Sequence, residues 1–300
     1  MVARFSTGRA SSVRTRLAHP VVLVLIGIAS VQVGATFAKS LFDEVTPTAM
    51  VWLRLTLSAL ILLAITRPRV RGLSRRDWLV VVAFGASLGL MNWAIYQSFA
   101  RLPIGIAVTI EFIGPLTIAL VTSRRARDLV WVALAAAGVV LLGLEPGRIS
   151  VAGVLFALLA GVCWAAYIVL SKATGARWEG LDGLALASTV AAVALTPAAM
   201  AYADGLGAPH VWLVGLIVGL MSSVIPYSLD LVALRSIKSG LYAILMSLEP
   251  AAGALAAILI LHEGLSVLQW LAIACVVVAS AGATRTGKPE HHVPAESTPV

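Results

Sequence analysis

Ten apolar runs of roughly 20 residues follow one another along this chain, and a helix of that length spans the ~30 Å hydrocarbon layer of a membrane. They occupy residues 20–40, 46–66, 78–99, 104–123, 129–145, 151–172, 183–203, 210–232, 239–261 and 266–284. In hydrocarbon every backbone N–H and C=O must be satisfied within the protein, which leaves helices or closed barrels as spanning structures. Runs this long, with no polar–apolar alternation, predict helices. Of the 300 residues 60% are hydrophobic and only 12% charged, against roughly 25% charged in a soluble domain. A soluble fold could not cover such a core. The expected fold class is an all-α integral membrane protein with ten transmembrane helices, surrounded by a lipid bilayer.

The net charge of +8 does not point to nucleic acid, because the basic residues cluster in the short loops. With both termini cytoplasmic, inner loops and tails hold 18 Lys and Arg, while Lys39, Arg101 and Arg148 lie outside and Arg54 lies within the second run. An excess of cations on the cytoplasmic side orients such proteins. Arg4, Arg9, Arg14 and Arg16 precede the first run, which reads as a retained signal anchor. The stretch 1–19 is then a basic cytoplasmic N-terminus, and 286–300, rich in Pro, Glu, Ser and Thr, a disordered cytoplasmic tail.

Glu111 and Glu249 stand inside apolar runs in matching frames, Gly105 to Pro115 and Gly240 to Pro250, 135 residues apart. Lys39 and Lys172 recur at an offset of 133, and Asn92-Trp93 and Pro226-Tyr227 at 134. Ten runs then divide into two five-helix units, 20–145 and 150–285. Five being odd, the second unit crosses in the opposite sense. Inverted repeats of this kind place a substrate at their interface near mid-depth and work by alternating access.

An ionisable residue at membrane depth costs about 2.5–3.5 kcal/mol on insertion scales and marks a pathway by default. Glu249 falls ten residues into its run, about 15 Å along the axis at 1.5 Å per residue. Pro250 beside it, like Pro115 after Glu111, removes a backbone donor and breaks the helix locally. An acid at such a break suits a proton or a substrate ammonium; a structural acid bonded to a neighbouring helix fits the same residues. Arg54 is expected at a depth similar to Glu111, either as its ion-pair partner or as a fork for a substrate carboxylate. Asn92, Trp93, Tyr96 and Gln97 form a polar, aromatic run. Asn92 and Tyr96, four apart, share a helix face. Trp164, Tyr167 and Tyr227 offer similar chemistry in the second unit, where an aromatic face can hold an ammonium. Lys39, at the end of its run, is a candidate for the pathway or a snorkelling anchor. Cys163 and Cys275 read as free buried thiols, and no His, Cys or acid spacing suggests a metal or other cofactor. The small residues Ala133 to Ala137 and Ala251 to Ala257 allow close helix packing or a homodimer contact.

Several stretches together resemble the EamA family of the drug/metabolite transporter superfamily, on its branch of bacterial amino-acid exporters. They are Gly89 to Trp93, Pro103 to Pro115, Ser123 to Arg125, Cys163 to Ile168, Pro226 to Leu229 and Met246 to Pro250. The resemblance implies a multi-pass exporter in the bacterial inner membrane, moving small amino acids, threonine and homoserine among them, by proton antiport. Either acid could carry the proton. A different small-molecule cargo on the same fold is the alternative. A membrane-embedded enzyme is disfavoured, since no cluster of His, Asp or Ser gathers at one membrane face.

Overall fold

The computed structural model describes residues 20–68, 70, 72–123, 129–143, 150–175, 177–178, 180–234 and 239–286. The basic segment 1–19 and the tail beyond 286 lie outside the described residues. Among the described residues the protein is all helical, with no strand. The helices are α1 (Pro20–Lys39), α2 (Pro47–Thr66), α3 (Arg75–Phe99), α4 (Ile104–Glu111), α5 (Ile113–Ser123), α6 (Leu129–Gly143) and α7 (Val151–Gly175). After these come α8 (Asp182–Ala201), α9 (Pro209–Gly219), a π turn (Leu220–Val224), α10 (Ile225–Leu234), α11 (Ser239–Met246), α12 (Glu249–Leu261) and α13 (Val267–Thr286). Helix occupies every one of the ten apolar runs. Eight described helical stretches are long and apolar enough to cross a membrane, and the apolar stretches Ile104–Ile118 and Leu129–Leu141 are shorter.

Local signals set several boundaries. Thr46 caps α2, accepting from the Ala49 N–H at 3.3 Å, with Pro47 at the first helical position, where its missing N–H costs nothing. Ser74 and Asp77 form a capping box at the start of α3, satisfying two N-terminal donors reciprocally. Proline sets three interruptions. A proline N cannot bond the carbonyl four residues back, and α4 ends at Glu111, four before Pro115. Likewise α11 ends at Met246, four before Pro250. The π turn ends just before Pro226.

Small residues bring the interrupted helices into close contact. A Cβ on Gly105 of α4 would lie 2.6 Å from the Ala254 Cβ of α12, and one on Gly114 of α5 would strike the Gly161 carbonyl of α7. Only bare backbone permits such approach, which is how helices pack where lipid removes the hydrophobic drive between them. The outer surface is apolar: Leu259 is 75% and Val267 76% exposed. A belt of that kind is stable against acyl chains rather than water.

Candidate functional site

Three ionisable side chains are buried inside the bundle. Glu111, the last residue of α4, is 8% exposed, Glu249, the first of α12, 6%, and Arg54 of α2 7%. The Glu111 carboxyl lies within electrostatic range of both Glu249 and Arg54. The Gly105–Ala254 contact explains this proximity of the two acids, since it draws α4 and α12 together. From Ile104 to Glu111 is about 10 Å of helix, and from Glu249 to Leu261 about 18 Å. The acids therefore sit well inside the bundle. Taking a charge out of water costs several kcal/mol unless partners compensate (~several kcal/mol per ion).

Arg54 does not close on Glu111. Its Nη1 donates to the Tyr96 hydroxyl at 3.2 Å and its Nη2 to the Ser222 carbonyl at 3.4 Å. Its guanidinium carbon lies 5.5 Å from the centre of the Tyr96 ring, within cation–π reach. The Ser222 carbonyl is available because Pro226, four residues on, has no N–H to give it. Ser30 Oγ donates to Met221 O within the π turn at 2.7 Å, and Ser58 Oγ to the carbonyl of Gly219, the last residue of α9 just before it, at 3.2 Å. Side chains from α1 and α2 thus hold the π turn in place.

The other residues singled out in the sequence distribute more widely. Asn92 is buried, but its amide donates to the Leu88 carbonyl of its own helix at 2.8 Å. Trp93 Nε1 and Gln97 Nε2 both donate to Thr48 Oγ1 at 3.1 Å. Trp164 packs edge-on against Phe112, the residue at the α4–α5 break, with centroids 5.3 Å apart. Tyr167 and Tyr227 line a separate cavity of about 170 Å³ with Phe84, Ser171, Thr174 and Trp178. Pro115 is half-buried and Pro250 buried. Cys163 and Cys275 are free thiols. No cluster of three or more potential metal ligands occurs among the described residues.

Lys39 turns inward rather than out to an interface. It pairs with Glu263 at 2.5 Å and donates to the Leu102 carbonyl at 2.8 Å, while Glu263 accepts the Ile104 N–H at 3.0 Å. Lys39 and Glu263 both line a cavity of about 550 Å³ with Phe42, Asp43 and Ala100. This cavity sits at the α3 C-terminal end. The smaller one lies toward the opposite end, where Asp77 pairs with Arg177 at 2.8 Å. The charged cluster lies between them along the helix axes.

Sequence reasoning missed Glu263, Ser222 and Gln32. Glu263 falls in a loop, and only the fold reveals Lys39 opposite it. Gln32 is a lone amide in the first apolar run, and Ser222-Ser223 is a polar pair just ahead of Pro226; both were visible as polar exceptions. Gln32 Oε1, Arg54 Nε and Ser222 Oγ are buried without a hydrogen-bond partner. Each such group costs about 1–3 kcal/mol and asks for an explanation.

A helical bundle with an apolar belt, two end cavities and a buried charged centre defines a polytopic membrane protein built around an internal polar site. The EamA-like transporter family model matches residues 151–285, and curated relatives match over most of their length. The threonine/homoserine exporter RhtA of Escherichia coli (strain K12) is 38% identical over 278 residues, covering 91% of this chain and 94% of the relative. RhtA of Salmonella typhimurium (strain LT2) is 37% identical over the same length. The chain belongs to the EamA-like transporter family. A solved structure titled "Crystal structure of protein" is 21% identical, covers 89% of this chain and 97% of its own, and superposes with a TM-score of 0.62; that likeness concerns the fold alone.

Proposed function

We propose that this protein exports small neutral amino acids, threonine and homoserine in the first place, from the bacterial cytoplasm across the inner membrane. The relatives' exporter activity and the buried centre both support this reading. The observation that carries it is the burial of Glu111, with Glu249 and Arg54 within its electrostatic range, between two cavities at opposite ends. Two acids and one guanidinium are the complement of a zwitterion: Arg54 suits the carboxylate, and an acid suits the ammonium. When no substrate is present, a proton can take the place of the ammonium, which is the competition that proton antiport requires.

Alternating access fits the same arrangement. Ten spans would form two inverted five-helix units, 20–145 and 150–285, with both termini cytoplasmic, as the Lys and Arg bias supports. The larger cavity would then face outward and the smaller one inward. Lys39–Glu263 and Asp77–Arg177, each joining one unit to the other, would open and close in turn. The Pro115 and Pro250 breaks give the Glu-bearing helices the freedom to move.

The test is efflux of radiolabelled threonine from preloaded cells across pH, wild type against Glu249→Gln. Saturable, pH-dependent efflux lost in the variant is the expected result. Efflux that survives the substitution unchanged would reduce Glu249 to a structural acid. No threonine efflux from the wild type would send the search to another cargo of the same fold.

A further inference from the structure

Two of the unpartnered buried atoms sit on residues that are themselves bonded: Arg54 Nε, whose guanidinium reaches the Ser222 carbonyl, and Ser222 Oγ. Ser222 lies in the π turn that Ser30 and Arg54 hold by its carbonyls, with Ser58 on the Gly219 carbonyl just before it. A π turn inside a helix is frequent at functional sites. Its position is fixed from two helices, while its hydroxyl has no bond to make. Gly34 of α1 faces that hydroxyl; a Cβ there would lie 2.5 Å from Ser222 Oγ. Bare backbone on α1 therefore makes the room in which the hydroxyl stands.

We infer that Ser222 is a specificity-determining residue of the transport site, and that its Oγ reads the side-chain hydroxyl of the amino acid while Arg54 Nε takes the carboxylate. This rests on the amino-acid export reading above. The chemistry matches at both ends. A guanidinium N–H with no partner is a donor suited to a carboxylate oxygen. A serine hydroxyl both donates and accepts, so it can meet a second hydroxyl in either sense. In a hydroxylated amino acid such as threonine or homoserine, carboxylate and hydroxyl are only a few bonds apart, and the two residues that would receive them are neighbours, Arg54 Nη2 reaching the Ser222 carbonyl at 3.4 Å. An amino acid with an alkyl side chain would leave the Ser222 hydroxyl unmet, which is how buried polar groups reject a close analogue. In the present conformation both atoms are sealed from water. Substrate would reach them when α1 and the π turn separate.

The experiment uses the full-length protein in vesicles, with labelled threonine transport competed by unlabelled threonine or by 2-aminobutyrate, which lacks the hydroxyl. Ser222→Ala is measured beside Ser222→Cys, which keeps the shape with a weaker donor. The expected result is a roughly tenfold weaker competition by threonine in Ser222→Ala, a smaller loss in Ser222→Cys, and little change for 2-aminobutyrate in either. A purely structural serine resting against Gly34 would weaken both competitors together. That outcome, or an unchanged threonine preference, overturns the inference while wild-type transport leaves the export reading standing. A wild type that moves no threonine counts against the export reading itself.

Discussion

The two broken helices carry the same ingredients but set the acid on opposite sides of the break. Along α4–α5 the acid closes the first half: Glu111 ends α4, and its carbonyl, freed by Pro115, faces Gly161. Along α11–α12 the acid opens the second half: Glu249 is the first residue of α12, with Pro250 behind it. A helix N-terminus favours a negative charge and a C-terminus opposes it. Glu249 is thus placed where the helix supports its charge, and Glu111 where the helix does not. Arg54, bonded to Tyr96 and Ser222, lies within electrostatic range of the less favoured acid and offsets part of what the helix end withholds. Equal residues in equal frames need not be equal in role; the side of the break on which each falls decides its surroundings.

This contrast can be broken most directly at Arg54. Arg54→Ala should lower stability by about 3 kcal/mol, because a buried charge has lost its compensation. Glu111→Gln added to it should restore most of that loss, whereas Glu249→Gln should restore little. Thermal unfolding in detergent measures all three. Equal rescue by both would remove the distinction between the acids.

Transport sharpens the comparison next. Each acid changed to Gln should slow threonine efflux by about 10- to 100-fold, the worth of a lost hydrogen bond to a charged group. The pH dependence should separate them: one variant keeps threonine–threonine exchange but loses pH-driven efflux, and that one marks the proton carrier. Exchange assays in vesicles with and without a pH gradient decide which.

Gly105→Val tests what holds the two acids near each other. The new side chain meets Ala254, and overpacking of this kind costs about 1–3 kcal/mol. If the acids work as a pair, efflux should fall more steeply than stability. Parallel falls would mean only that the bundle loosened.

The smallest effect is expected at the rim. Lys39 and Glu263 are 18% and 17% exposed in their side chains, so removing the pair in Lys39→Met should cost about 1–2 kcal/mol, between an exposed and a fully buried pair. The efflux rate should respond more than the stability, and added salt should mimic the substitution in the wild type. A variant with unchanged efflux would make the pair an ornament of the fold.

The run of apolar segments made the helices legible, because hydrocarbon admits so few backbone solutions. The acids stood out for the same reason. Pro115 and Pro250 marked where helices stop, since each removes a known hydrogen bond. What stayed hidden depends on how helices rotate against one another. Lys39 reads from the sequence as a pathway candidate or a snorkelling anchor, and the fold turns it toward Glu263. Asn92 looked available until its amide bonded its own helix at Leu88. Tyr167 and Tyr227 resemble Asn92 and Tyr96 by residue type, but they line the smaller cavity. The π turn has no simple periodic signature, and so Ser222 drew no notice.

The α4–α5 interruption also has a consequence for how the protein is made. Its halves have 8 and 11 residues, and neither alone spans a ~30 Å layer. The surfaces that pack on this segment, Gly161 of α7 over the break and Ala254 of α12 against Gly105, leave the ribosome only later. Until synthesis reaches α12, the fourth apolar segment holds an exposed acid and a bare carbonyl in search of shelter. A chain truncated before that point would be a ready target for the proteases that patrol membranes, so completion of the last third guards a segment laid down well before it.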